Sequence, residues 1–270
     1  MSHKKILVPV DFTGISDKVI EQAAFISSTS GSAVVLFHIA ERAEDLASLT
    51  VKLAEKAAET TSKYKVNCES KVRLGSIFKE IQAETEENDY FLVIIGTHGV
   101  RGLKQKLMGA DILKIITKVP VPTLVVQSTS PFRTSFSKIV LPVATHLAYE
   151  NILLAVVMIG NLFKSEVHIY SIERPGFDWP EQLKKNLEKT KEIFDENGIQ
   201  YIRVNEKQTV LSVGFARQTL QYAQKTGADM IAMMSVSSEE YHYFAEQDKE
   251  NLLTNDSGIP VLCACNETKF

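Results

Sequence analysis

Lys4-Lys5-Ile6-Leu7-Val8-Pro9-Val10-Asp11-Phe12 returns 133 residues later as Ser137-Lys138-Ile139-Val140-Leu141-Pro142-Val143-Ala144-Thr145, and this repetition decides the fold. Both stretches are short apolar runs rich in Val, Ile and Leu without strict alternation, the pattern of a strand covered on both faces. The register continues without a gap into the next segment, where Ala33-Val34-Val35-Leu36-Phe37-His38-Ile39 meets Glu166-Val167-His168-Ile169-Tyr170-Ser171-Ile172. Towards the far ends, Val121-Pro122-Thr123-Leu124-Val125-Val126 meets Ile259-Pro260-Val261-Leu262-Cys263-Ala264 at a shift of 138. Two copies of one domain, of about 130 residues each, account for these matches, and a solenoid, which needs three or more shorter units, is excluded.

Within the first copy, strands are expected at Lys5–Val10, Ala33–Ile39, Tyr64–Arg73, Phe91–Gly96 and Thr123–Gln127. Between them Ile15/Val19/Ala23/Ile26, Leu46/Leu49/Leu53/Ala57 and Ile112/Ile115/Ile116/Val119 fall at helical spacings of three and four. The second copy repeats the scheme with strands at Lys138–Val143, Glu166–Ile172, Tyr201–Asn205, Met230–Ser235 and Val261–Cys265. Its helices carry Leu183/Leu187/Phe194 and Val213/Ala216/Leu220/Ala223. Apolar strands joined by helical crossovers form parallel sheets, so the fold class is α/β, with two doubly wound five-stranded domains. The domains are expected over residues 1–128 and 137–267, with the Ser-, Thr- and Pro-containing stretch 127–137 as linker.

The charge balance, 30 Lys plus Arg against 33 Asp plus Glu, gives no field for nucleic acid or an anionic membrane surface. With 44% apolar and 23% charged residues the chain has the composition of a folded globular protein. The longest apolar run, Ile152–Ile159, is far short of the roughly 20 residues that span a bilayer. Three cysteines make no even disulfide framework, and the opening residues lack a signal-peptide pattern, so a reducing cytoplasm is the expected location.

In doubly wound sheets ligands bind beyond the carboxyl ends of the strands, where strand order reverses. After the first strand comes Asp11, whose carboxylate either caps the helix beginning near Gly14 or contacts a ligand. After the fourth strand comes Gly96-Thr97-His98-Gly99, then nine residues, then Gly109-Ala110-Asp111 at the start of a helix. Glycines permit close backbone approach and a helix N-terminus favours anions, so the arrangement suits phosphate, with Arg101, Lys104 and Lys106 lying between. A strand-to-helix turn also needs glycine for conformational reasons alone, and basic residues there also fit a solvated face.

The opening KKILVPVDF, the second strand ending Leu36-Phe37-His38-Ile39, the block GTHGVRGLKQKLMGA and Val121–Val126 together resemble the universal stress protein family, and the whole chain looks like a tandem member. That resemblance implies the fold of the adenine-nucleotide alpha-hydrolases, with strand order 3-2-1-4-5 in each domain. It also implies an adenine nucleotide (ATP, ADP or AMP), with Mg as accompanying cation, a regulatory role in stress response, intrachain pairing of the domains through their last strands, and a homodimer as a further arrangement. Pro9, Val10 and Asp11 would meet the adenine and ribose, Ile39 and Ile95 would line the base pocket, and Gly96, His98, Gly99, Gly109 and Ala110 would surround the phosphates. His98 would either donate to a phosphate or serve as a turn residue. The family pattern places Ser or Thr after the third glycine, where this chain has Ala110. The neighbouring Asp111 would compete for the same N–H donors and repel phosphate.

The second copy departs from the pattern, with Ala144 at the position of Asp11 and Ser235-Val236-Ser237-Ser238 at that of Gly96–Gly99. One nucleotide per chain is therefore expected, with the second domain either a structural partner or the holder of a different ligand. His242 and Glu246 have a metal-ligating spacing, but Ser238–Glu250 is crowded with charge and reads as a solvated helix. Cys263 and Cys265 read as packing residues, and the acidic stretch Glu84–Asp89 as a solvated helix end. No nucleophile elbow, zinc-protease or Walker sequence is present. Slow ATP hydrolysis draws only on the family resemblance, with Asp11 and His98 as the titratable candidates for a base, so the reading is a binding module, and its rival is a scaffold that binds no nucleotide.

Overall fold

The computed structural model describes residues 4–97, 109–173, 176, 178–207, 215–236 and 246–270. In the first half the apolar runs form β1 (Lys5–Pro9), β2 (Ala33–Ala40), β3 (Cys68–Leu74), β4 (Tyr90–Thr97) and β5 (Thr123–Gln127). Between them run α1 (Gly14–Ser30), α2 (Leu46–Tyr64), α3 (Ile77–Glu87) and α4 (Gly109–Ile116). The second half has β6 (Lys138–Pro142), α5 (Glu150–Phe163), β7 (Glu166–Glu173), α6 (Glu181–Glu196), β8 (Gln200–Lys207), α7 (Phe215–Thr226), β9 (Met230–Met234), α8 (Glu246–Leu253) and β10 (Val261–Ala264).

Periodicity explains most of these elements. Ile15, Val19, Ala23 and Ile26 of α1 are all buried against the sheet. The helix stops at Gly31, whose positive φ of 71° lets its N–H return to the Ser27 carbonyl. The third strand, expected from Tyr64, begins only at Cys68, because α2 continues through Tyr64 and ends at Lys65 in the left-handed region. Two helices escape the periodic reading. In α5 seven residues between Ile152 and Gly160 are buried, so no polar face marks it, whereas α3 buries only Ile81, Glu84 and Thr85.

The two five-stranded sheets pair through their last strands, as expected, and so form one continuous ten-stranded sheet of order β3-β2-β1-β4-β5-β10-β9-β6-β7-β8. Within each half every pairing is parallel. The halves join through an antiparallel ladder between β5 and β10, with Val125 opposite Val261 and Thr123 opposite Cys263. A last strand left at an open edge would expose unpaired backbone groups, and each half covers the other's edge. Since the order reads alike from both ends and the central pair is antiparallel, the halves are related by an approximate two-fold rotation.

The linker is strapped to α1. Gln22 exchanges two hydrogen bonds with the Arg133 backbone, each 3.0 Å, and Lys18 donates to the Ser128 carbonyl. Phe25 of α1, Phe136 of the linker and Phe163 of α5 form an aromatic seam, with Phe163 stacked on Phe25 at 5.7 Å and edge-on to Phe136 at 5.1 Å.

The expectation of a solvated helix end at Glu84–Asp89 is corrected at Glu84, which is wholly buried. Its carboxylate accepts from the Tyr90 hydroxyl at 2.8 Å and pairs with Lys71 and Arg73, both at 2.7 Å. Burial is compensated by two cations reaching in from β3.

Candidate functional site

From β1 the chain proceeds to β2 on one side, while β4 leads to β5 on the other, so strand order reverses between β1 and β4. A cleft of about 790 Å³ lies at the carboxyl ends of these strands, a volume within the range of small-molecule sites. Of the residues expected at a site, Pro9, Val10, Asp11, Ile39, Ile95, Gly96 and Asp111 line it. His98 and Gly99, with Arg101, Lys104 and Lys106, lie outside the described residues. Gly109 and Ala110 are not brought to the cleft wall: Ala110 is exposed, and Gly109 is buried against the second half.

Asp11 closes the turn from β1 into α1. Its Oδ1 accepts from the Thr13 N–H (2.9 Å), the Thr13 hydroxyl (2.6 Å) and the Ser16 hydroxyl (2.7 Å), while the Ser16 oxygen accepts from the Asp11 N–H (3.1 Å). This is the turn role; the side chain is nonetheless exposed at the cleft. The turn forces Phe12 into the left-handed region at φ 57°, a conformation that costs a non-glycine residue about 1 kcal/mol or more. Its ring is held at both faces of the turn: 4.8 Å from the His38 ring and 4.1 Å below the Lys52 ammonium.

The sequence reading took Ile39 from β2 but missed its neighbour His38 and the start of α3. His38 lines the cleft beside Ile39, and its Nδ1 lies 2.6 Å from the Val10 carbonyl. A carbonyl only accepts, so Nδ1 carries the proton and Nε2 of the neutral ring is an acceptor. Ile77 and Phe78 enter from the start of α3, beyond Gly75. The signal available was position: all three follow the rule for carboxyl ends of strands, applied to β2 and β3 as well.

The glycines have a packing account of their own. A Cβ on Gly96 would lie 2.6 Å from Ile15 Cγ1 and 3.0 Å from Val19 Cγ2, so its absence lets α1 settle onto β4. On Gly109 a Cβ would meet Thr254 Cγ2 at 3.1 Å and the Glu250 Cβ at 3.2 Å, so α4 and α8 approach closely there. The described wall carries Asp11, Glu41 and Asp111, and no Lys or Arg among the described residues lines it. Asp111 sits 3.9 Å from Lys114, one turn along α4.

At the corresponding strand ends of the second half, described side chains bond to the backbone. Asn186 of α6 donates to the carbonyls of Ala144 (2.6 Å) and His146 (2.9 Å), and Ala144, Thr145 and His146 are buried. Ser235 donates to the Ile116 carbonyl of the first half at 3.1 Å. Lys249, in the stretch expected to be a solvated helix, is only 1% exposed and donates to the carbonyls of Ser235 and Val236 at the end of β9. His242 lies outside the described residues, among which no cluster of three or more His, Cys, Asp or Glu suited to a metal ion occurs. Cys263 and Cys265 are both buried, as packing residues would be.

A family model described as the universal stress protein family matches residues 2–127. The first half of this chain belongs to the universal stress protein family. A curated relative, Universal stress protein MJ0577 of Methanocaldococcus jannaschii, is 26% identical over 156 residues, covering 46% of this chain and 95% of the relative. A universal stress protein of Archaeoglobus fulgidus has the same fold across both halves: TM-score 0.72 and 14% identity, over 97% of this chain and 96% of that one. A shorter universal stress protein from Archaeoglobus fulgidus, solved in complex with dAMP, covers 46% of this chain and 98% of its own, at 19% identity and TM-score 0.39. No helix among the described residues is long and apolar enough to cross a membrane.

Proposed function

We propose that this chain is a tandem universal stress protein whose first domain, residues 1–128, binds one adenine nucleotide, and whose second, residues 137–267, is its structural partner. The observation that carries the reading is the cleft at the strand-order reversal of the family half, with Val10, Ile39 and Ile95 offering apolar surface to a base beside the Asp11 carboxylate. In this reading Pro9, Val10 and Asp11 meet the adenine and ribose. Gly96, His98 and Gly99 surround the phosphates beside Asp111, with Mg accompanying them, while Gly109 and Ala110, off the described cleft wall, set the start of α4. The engagement of Asn186 and buried Lys249 with backbone carbonyls at the second half's strand ends, and Ala144 in place of Asp11, support a stoichiometry of one. Binding is the output, with a regulatory role in a cytoplasmic stress response; hydrolysis is at most slow.

A second reading, a scaffold of the same fold that binds no nucleotide, is favoured by the three carboxylates of the cleft wall and by the packing roles of Gly96 and Gly109. Extraction of the purified protein with mass spectrometry for adenine nucleotides, followed by calorimetric titration with AMP, ADP and ATP, separates the two. Nucleotide binding near one per chain that is lost in Ile39→Glu supports the first. Absence of binding, or binding unchanged in that variant, overturns it.

A further inference from the structure

A second cavity, about 560 Å³, lies at the opposite end of the first-half sheet, where β1 and β4 begin. It exists only because the halves are joined: Lys4, Phe91 and the α1–β2 turn at 30–32 supply one side, while Leu154, Val157 and Met158 of α5 supply the other. The segment after β10 closes it with Lys269 and the half-exposed Phe270, and the Lys269 N–H is tied to the Pro120 carbonyl at 3.0 Å.

The chemistry of this groove is the reverse of the first cleft. Its floor is apolar, formed by Phe91, Leu154, Val157 and Met158, and no Asp or Glu among the described residues lines it. Its two ionisable side chains, Lys4 and Lys269, are exposed, and neither has an ion-pair or hydrogen-bond partner for its ammonium among the described residues. Lysine stems lie along apolar surface while the charged head stays in water, so both ammonium groups belong at the rim. Methionine adapts its shape to a flexible chain more readily than a branched residue does. A groove with an apolar floor, a cationic rim and no Asp or Glu among its described lining residues fits a single-chain amphiphile with a negative head.

We propose that the groove between the start of the first-half sheet and α5 binds an alkyl-chain carboxylate, its tail on Phe91, Leu154 and Met158 and its head at Lys4 and Lys269. Neither half alone forms the site. The occupant is distinguished from an apolar peptide or a second copy of the chain by the need to satisfy both a linear apolar tail and one compact anionic charge.

The test is calorimetric titration of the full chain with octanoate, nonanoate and decanoate below their micellar concentrations, beside decanol and decyltrimethylammonium. Affinity should rise about fourfold per added methylene. Decanoate should bind more tightly than decanol, and decyltrimethylammonium most weakly. Replacing both rim lysines, Lys4→Gln with Lys269→Gln, should weaken decanoate roughly fivefold and leave decanol unchanged. These surface changes preserve the core, and Leu154→Glu, on the half-exposed face of α5, should abolish binding of both. Equal affinity for decanoate and decyltrimethylammonium, or decanoate binding unaffected by Leu154→Glu, overturns the proposal. So does sedimentation showing a dimer that Leu154→Glu dissociates, because a second copy then covers the groove.

Discussion

Gln127, the last residue of β5, donates its side-chain amide to the Leu253 carbonyl at the end of α8, 3.0 Å away and wholly buried, so one hydrogen bond crosses from the first half into the second. The same side chain accepts from the Ser130 hydroxyl at 2.8 Å, where the linker begins. Gln127→Leu strands both partners, and a buried group left unpaired costs about 1–3 kcal/mol. Urea unfolding should show a lower midpoint in a single transition, since the continuous sheet gives the halves no independent edge. Gln127→Glu keeps the acceptor for Ser130 and loses the donor to Leu253, so it should also destabilise; a midpoint equal to wild type would refute the importance of the crossing bond.

At Gly109 the tight approach of α8 makes a steric prediction. Gly109→Arg should lower stability by up to about 3 kcal/mol by overpacking the α4–α8 contact, whether or not nucleotide is present. The smaller Gly109→Ala should be rescued in part by Thr254→Ser, which removes the methyl 3.1 Å away and retains the hydroxyl that donates to the Glu250 carbonyl. A double-mutant cycle decides: strictly additive effects would mean the two residues do not compete for space.

Asp111 offers a charge test of the proposed nucleotide site. Its carboxylate lies in the first turn of α4 and lines the cleft, where it competes with phosphate for a helix N-terminus. Asp111→Asn should raise affinity for ATP about two- to fivefold and leave adenosine nearly unchanged. An ATP-to-adenosine ratio identical to wild type would place the phosphates elsewhere.

Glu84→Ala should cost roughly 2–4 kcal/mol, below the figure for a fully buried pair because Lys71 and Arg73 keep access to water. Glu84→Gln retains the acceptor for Tyr90 and should recover part of the loss. Thermal denaturation of both variants measures the difference, and equal melting temperatures would show that charge, not the hydrogen bond to Tyr90, accounts for the whole effect.

Burial pushes the Cys68 thiol up to about 12 from its ordinary value of 9.0, so the folded protein holds it as the neutral thiol. The sign follows: the contribution to stability is fully present below pH 9, where the unfolded thiol is also protonated, and is lost as pH rises towards 12. Native protein should react only slowly at Cys68 with a thiol reagent at pH 8, and rapidly in denaturant. Fast native labelling of Cys68, a partly buried residue, would contradict a thiol held neutral.

The sheet was legible because its signal is local. Val, Ile and Leu runs such as Ile6–Val8 and Leu92–Ile95 are buried on both faces and read the same in any context. What was not legible depends on partners distant in sequence. Glu84 is acidic beside Glu86 and Glu87, and only Lys71 and Arg73, brought in by the β2–β3 register, make its burial tolerable. Lys249 sits among charges in the chain and among carbonyls in the fold. At the cleft, the β1 and β4 termini were read because glycines and Asp11 mark them, whereas His38 stood only as part of the second-strand resemblance and Phe78 carries no motif. Gly109 shows how one residue can answer two demands: a spacing that suits phosphate coincides with a helix contact that the second half supplies.

The antiparallel seam between β5 and β10 also governs how this chain can change. Two identical copies meeting through such a seam would place every substitution at symmetry-related positions, so a residue harmful to one site would be harmful to both. Joining the copies in one polypeptide keeps the partner permanently at hand and breaks that identity. Asn186 can then bond the backbone at Ala144, and Lys249 the backbone at the end of β9, in one half while Asp11 stays at an open cleft in the other. Covalent pairing thereby lets the two members of a pseudo-symmetric pair diverge residue by residue.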